Sequence, residues 1–162
     1  MASSIAIYPG TFDPVTYGHL DLITRALTMF ARVRVGVAAN PAKLPLFPVQ
    51  ERVALLKQAL RGRRGVTVEA FDGLVVAYAR QHQARVVLRG LRMLSDFEYE
   101  FQMALTNRKL DTGVETVFLM PSESYAYVSS KLIKEAASLG ADVRAFVPPF
   151  VARRLARALG RR

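Results

Sequence analysis

The chain has 162 residues, 51% hydrophobic and 22% charged, enough to bury one core and too apolar for a disordered chain. It has no cysteine and two histidines, His19 and His82, which excludes disulfides, thiolate metal centres and cysteine nucleophiles. Lysine and arginine number 23 against 13 acids, a formal charge of +10; such a field attracts nucleic acid, acidic membrane or polyphosphate metabolites without choosing among them. No apolar run approaches the ~20 residues of a membrane span, and Met1-Ala2-Ser3-Ser4 leads into a short apolar run with no basic segment before it. The expectation is a cytoplasmic protein without a signal peptide.

In chain order, Ile5-Ala6-Ile7-Tyr8 reads as a strand stopped by Pro9-Gly10, and Leu20, Ile23, Leu27 and Phe30 repeat at helical spacing. Arg32–Ala38 is the second strand, followed by a loop from Asn40 to Pro48 and a helix with Val53, Leu56 and Leu60 on one face. Val66–Phe71 is the third strand, Leu74–Gln81 a short helix, and Arg85–Leu88 the fourth strand, ending at Arg89-Gly90. A longer helix from about Asp96 to Leu110 is expected to turn Phe97, Phe101, Ala104 and Leu105 inward. Glu115–Leu119 is the fifth strand; a helix from about Ser129 and a basic amphipathic helix from about Phe150 complete the pattern. The terminal ten residues hold Arg153, Arg154, Arg157, Arg161 and Arg162 with no acid.

Strands alternating with helices imply an α/β fold: one Rossmann-like domain over residues 1–162, a five-stranded parallel sheet with helices on both faces. In such sheets ligands bind beyond the carboxyl ends of the strands, where the winding direction reverses. The first of those loops is Tyr8-Pro9-Gly10-Thr11-Phe12-Asp13-Pro14-Val15-Thr16-Tyr17-Gly18-His19, which is neither a dinucleotide fingerprint nor a P-loop. Thr16 is placed to cap a helix, and Gly18 leaves its N-terminus open. His19 joins unpaired N–H donors there, where a cationic or hydrogen-bonding imidazole can hold a phosphate.

Thr16-Tyr17-Gly18-His19 resembles the T/H-x-G-H signature of the nucleotidyltransferase superfamily. The wider string Y-P-G-T-F-D-P-x-T-x-G-H-x-D is similar to that of the bacterial phosphopantetheine adenylyltransferase family. Asn40-Pro41-Ala42-Lys43, Glu51-Arg52, Arg89-Gly90-Leu91-Arg92, Asp96-Phe97-Glu98-Tyr99-Glu100, Asn107-Arg108 and Val128-Ser129-Ser130 follow in that family's order. The resemblance runs from Ile5 to about Pro149. It implies transfer of AMP from ATP to 4′-phosphopantetheine, giving dephospho-coenzyme A and pyrophosphate, with Mg2+ arriving on ATP.

By that resemblance His19, Lys43 and Arg92 are catalytic. Thr11, Lys43, Val75 and Arg89 contact the phosphopantetheine side. The ATP side takes Gly10, Thr11, Phe12, His19, Gly90, Leu91, Arg92, Glu100, the wall Tyr125-Ala126-Tyr127 with Val128, and Ser129, Ser130 and Lys131. Lys131 stands where the family has a third small hydroxyl residue. On residue chemistry alone, Lys43 reads as a solvated loop lysine, Arg89 could be an ion-pair partner, and the two serines could be ordinary helix caps as well as phosphate donors. Asp96, Glu98 and Glu100 do not read as a metal site, because residues two apart do not share a helix face. His82 reads as a surface residue without chemistry. A sister transferase acting on nicotinate mononucleotide or glycerol phosphate is disfavoured by the Lys43 loop and the Arg89–Arg92 segment. Nucleic acid is disfavoured as a partner because the arginines are scattered or terminal. No membrane partner is expected, and the resemblance implies a homohexamer built as a dimer of trimers.

Overall fold

β-branched runs bounded by turns form the strands, and the structure, a computed structural model, describes residues 4–42 and 44–160. The strands are β1 (Ile5–Gly10), β2 (Arg32–Ala38), β3 (Val66–Phe71), β4 (Val86–Gly90) and β5 (Glu115–Leu119). The helices are α1 (Tyr17–Met29), α2 (Val49–Ala59), α3 (Val75–Gln81), α4 (Leu94–Leu110), α5 (Ser130–Ser138) and α6 (Pro149–Ala158). All strand pairs are parallel, in the order β3-β2-β1-β4-β5.

Alternation of side chains across the sheet divides the core in two. Ala6, Tyr8, Val33, Val35, Val37, Val68 and Leu88 meet Ile23 of α1, Leu56 of α2, Ile133 of α5 and Val151 and Leu155 of α6. Ile7 and Val87 point the other way, to Val76 and Ala79 of α3. Helices therefore cover both faces, as the alternation predicts.

The winding reverses between β1 and β4. Proline at position 9 does not end β1: Pro9 and Gly10 still pair with Gly36 and Val37 of β2. On the other side β1 pairs with β4 only at Ala6 and Ile7. The two strands part beyond that point, so the N–H that proline lacks faces no ladder. Arg89 of β4 bridges the gap instead, donating from Nη1 to the Pro9 carbonyl at 2.9 Å. This splay opens the crevice that holds the site.

Two expectations are corrected. Phe97, Phe101 and Leu105 do not face inward; they are 41%, 47% and 46% exposed, and Ala104 is only half-buried. The inner line of α4 is polar, with Glu100 and Asn107 buried, because that face borders the crevice and supplies charge to it. The apolar period in the sequence marks a different face, on which Phe97 and Phe101 stack at 5.5 Å. His82, expected at the surface, is half-buried. Its Nε2 lies 2.9 Å from Glu69, and its ring meets Tyr78 edge-on at 4.8 Å.

Candidate active site

The first loop is built around Phe12, a non-glycine residue at φ 51° and buried. Its ring sits between Tyr8 at 5.3 Å and His19 at 4.9 Å. A Cβ on Gly10 would lie 2.9 Å from that ring, so the glycine makes room for Phe12. The Phe12 turn in turn delivers the chain to the start of α1.

There Thr16 and His19 form a reciprocal cap. Thr16 Oγ1 accepts from the His19 N–H at 3.3 Å, and His19 Nδ1 accepts from the Thr16 N–H at 3.0 Å. The histidine occupies the place that a glutamate usually fills in a capping box. A backbone N–H can only donate, so Nδ1 is the acceptor and the ring proton lies on Nε2. Burial, reinforced by Arg92 and Arg89, lowers the His19 pKa to about 3. The ring is then neutral at physiological pH, with its Nε2–H available as a hydrogen-bond donor.

Across the crevice Arg89 grips Glu100, with Nε to Oε2 at 2.8 Å and Nη2 to Oε1 at 2.6 Å. Arg89 has five N–H donors, and these contacts with that to Pro9 use three. Two remain for a ligand. Arg92 donates to the Val128 carbonyl at 2.7 Å and pairs with Asp96 at 3.3 Å. Burial drives the phenol of Tyr8, beneath these arginines, well above its usual pKa.

The third wall is the start of α5. Ser129 is its N-cap, with a long 3.5 Å contact from the Leu132 N–H. The Ser130 hydroxyl donates to the Pro14 carbonyl at 2.8 Å, so its proton is engaged and a ligand there meets backbone N–H groups. Lys131 is exposed at the cavity mouth, and Lys134, one turn further, pairs with Asp13 at 2.6 Å.

Together these elements enclose a cavity of about 650 Å³, within the range of small-molecule sites. It brings together Gly10, Thr11, Phe12, His19, Val75, Arg89, Gly90, Arg92, Glu100, Tyr125, Val128, Ser129, Ser130 and Lys131. Leu91, Ala126 and Tyr127 are not among its lining residues; the Tyr127 ring is 63% exposed and meets Phe146. Lys43 lies outside the described residues.

Sequence reasoning did not single out Asp13 and Lys134, which line the cavity, or Arg52, which donates to the Thr11 carbonyl beside it. Asp13 and Arg52 stood inside quoted motifs, and Lys134 shares a helix face with Ser130 four residues before it. Each lining carboxylate already has a cation: Asp13 has Lys134, Asp96 has Arg92 and Glu100 has Arg89. An anionic ligand therefore meets donors and no unpaired carboxylate among the described residues. The cavity can hold phosphates and stabilise charge that develops on them.

The cytidylyltransferase-like family model matches residues 7–136. The phosphopantetheine adenylyltransferase of Caldanaerobacter subterraneus subsp. tengcongensis is 55% identical over 151 residues, 93% of this chain and 94% of that protein. The phosphopantetheine adenylyltransferase of Alkalilimnicola ehrlichii is 56% identical over 155 residues, covering 94% and 89%. Among solved structures, a proposed nicotinate-nucleotide adenylyltransferase from Vibrio parahaemolyticus superposes with a TM-score of 0.72 over 98% of this chain and 96% of its own. At 18% identity that likeness concerns the fold.

Proposed function

This chain belongs to the phosphopantetheine adenylyltransferase family of cytidylyltransferase-like proteins, and from that premise we propose how its cavity transfers AMP from MgATP to 4′-phosphopantetheine. An oxygen of the 4′-phosphate attacks the α-phosphorus of ATP in line. The bond from the α-phosphorus to the bridging oxygen of the β-phosphate breaks, and its electron pair leaves with pyrophosphate. Dephospho-coenzyme A is the other product. The nucleophile is already an anion, so no protein base is required, and catalysis is orientation plus stabilisation of charge.

The observation that carries this reading is the neutral His19 ring. Its Nδ1 is engaged by the Thr16 N–H, which leaves Nε2–H as a donor in a cavity with Arg89 and Arg92. A ring of that pKa is ill suited as a base at neutral pH and well suited as a donor to developing phosphoryl charge. Arg92 supplies cationic charge beside it, and the family resemblance adds the ammonium of Lys43. Thr11 orients the attacking phosphate, with Val75 and the free donors of Arg89 on the same side. The backbone at Ser129 and Ser130 takes the β- and γ-phosphates, and Lys131 reaches them from the rim. Magnesium enters as part of MgATP, held by phosphate oxygens and water, because Asp13, Asp96 and Glu100 are already engaged by cations.

We assign the enzyme to the cytoplasm, in keeping with a cysteine-free chain and no described helix long and apolar enough to cross a membrane. We assign it a homohexamer, a dimer of trimers, supported by the apolar stripe that α4 leaves exposed. The test is incubation with MgATP and 4′-phosphopantetheine, with detection of dephospho-coenzyme A and pyrophosphate. Turnover of nicotinate mononucleotide in its place would refute the substrate assignment. His19→Ala should lower kcat by at least ~10²-fold, the scale of one lost transition-state donor, with KM little changed.

A further inference from the structure

The segment between β2 and α2, which carries Lys43 in sequence, is held at its base by two buried charges. Arg52 is 1% exposed and donates to Thr11 O at 2.8 Å, Ala38 O at 2.9 Å and Phe47 O at 2.9 Å. It thus ties both ends of the segment to the first loop. Asp13, 4% exposed, accepts from the Leu46 N–H at 2.8 Å and the Phe47 N–H at 2.9 Å. Lys134 of α5 closes on the same carboxylate at 2.6 Å while lining the cavity.

A carboxylate this buried, beside a pocket for phosphates, needs a cation. Unpaired, it would repel the anionic substrates and tend to swing out toward solvent. That movement releases the Leu46 and Phe47 amides. Arg52 faces the carboxylate from α2, but its contacts are with carbonyls of the backbone. Lys134 is the group that pairs with it directly.

Resting on the adenylyltransferase reading, we propose that Lys134 is a positioning residue: by neutralising Asp13 it fixes the segment whose Pro41, Ala42, Leu44 and Pro45 line the cavity, and with it the affinity for 4′-phosphopantetheine. A side chain on α5, the helix assigned to the triphosphate, thereby governs affinity for the other substrate.

The experiment uses Lys134→Met, Lys134→Arg, Asp13→Asn and the double variant Lys134→Met/Asp13→Asn in the full chain. Amide exchange of Leu46 and Phe47 is read without substrate. Affinities for 4′-phosphopantetheine and for magnesium α,β-methylene-ATP are read separately by calorimetry. In Lys134→Met the two amides should exchange at least ~10-fold faster and 4′-phosphopantetheine should bind at least ~10-fold more weakly, as expected when one partner of a buried pair is lost. The ATP analogue should change by less than ~3-fold, since its contacts are retained.

Lys134→Arg should restore both readouts. The double variant should lose less affinity than Lys134→Met, because no charge is left unpaired. Should Lys134→Met fail to fold, Asp13→Asn carries the same expectation for the two amides and for 4′-phosphopantetheine. A larger loss for the ATP analogue would make Lys134 a triphosphate ligand and overturn the proposal, as would unchanged exchange and affinity. Wild-type protein that fails to bind 4′-phosphopantetheine would refute the adenylyltransferase reading, while the exchange data would still decide whether the ion pair holds the segment.

Discussion

His19 combines two roles through its two ring nitrogens. Nδ1 completes the cap on α1, and Nε2 keeps the proton that the proposed mechanism uses as a donor. A ¹⁵N spectrum of the imidazole should show a neutral ring with Nε2 protonated and no titration between pH 8 and pH 5. The lowered pKa also has a stability consequence. The ring takes up a proton near 6.5 in the unfolded chain and near 3 in the folded one. Between those values the unfolded state binds more protons, so this contribution is complete above 6.5 and is lost as pH falls toward 3. Denaturant unfolding at pH 7 and pH 4.5 should show a larger acid loss for wild type than for His19→Gln. Gly18 tests the neighbouring space. A Cβ there would meet nothing nearer than Thr16 Oγ1 at 3.4 Å, and its φ is not left-handed. Gly18→Ala should therefore leave Tm unchanged or slightly raised while raising KM for ATP at least ~10-fold, if the space is the ligand's. An unchanged KM would show that the phosphates pass elsewhere.

At the scale of the element, the T-x-G-H run is a helix start that also lines the cavity. Thr16 caps α1 through its hydroxyl, and loss of such a cap costs about 1 kcal/mol. Thr16→Ala should lower Tm by a few degrees, roughly the shift per kcal/mol for a domain of this size. It should also lower kcat by more than that stability loss explains, because the His19 ring loses the hydroxyl 3.2 Å from its Nδ1. Thr16→Ser should restore both. Helix α4 carries a different lesson. Its inner line is set by what the crevice needs, with Glu100 gripping Arg89 and Asn107 buried. Its apolar residues are left on the outside.

For the whole molecule, that outer face is the feature the single chain does not explain. Leu94, Phe97, Phe101 and Leu105 leave an exposed apolar stripe along one helix. Contiguous apolar surface of this kind marks contact with another protein surface. Phe101→Glu should reduce the mass measured by light scattering on a sizing column from the assembly toward the monomer. A wild-type protein that elutes as a monomer would rule out the hexamer. Inside the chain, the divergence of β1 and β4 after Ile7 makes the crevice, and every lining residue sits on a segment that reaches it.

The sequence by itself determined the order of strands and helices, because alternation and helical spacing are local properties of the chain. It also determined the T-x-G-H helix start and the motifs that identify the family. Where the local signal was ambiguous it misled: the stripe at Phe97, Phe101 and Leu105 is helical in period, but nothing in the period says which partner it faces. Proline at position 9 looked like a strand end because its missing N–H is visible in sequence, whereas the absence of a ladder opposite it is not. Only the tertiary structure bears on the charge state of His19, since its burial and the approach of Arg89 and Arg92, from β4 and the loop after it, are set by distant segments of the chain. It alone joined Asp13 to Lys134 and Arg52 to Thr11, Ala38 and Phe47. Such contacts bring together three or four segments of the chain, and no property of any one segment encodes them.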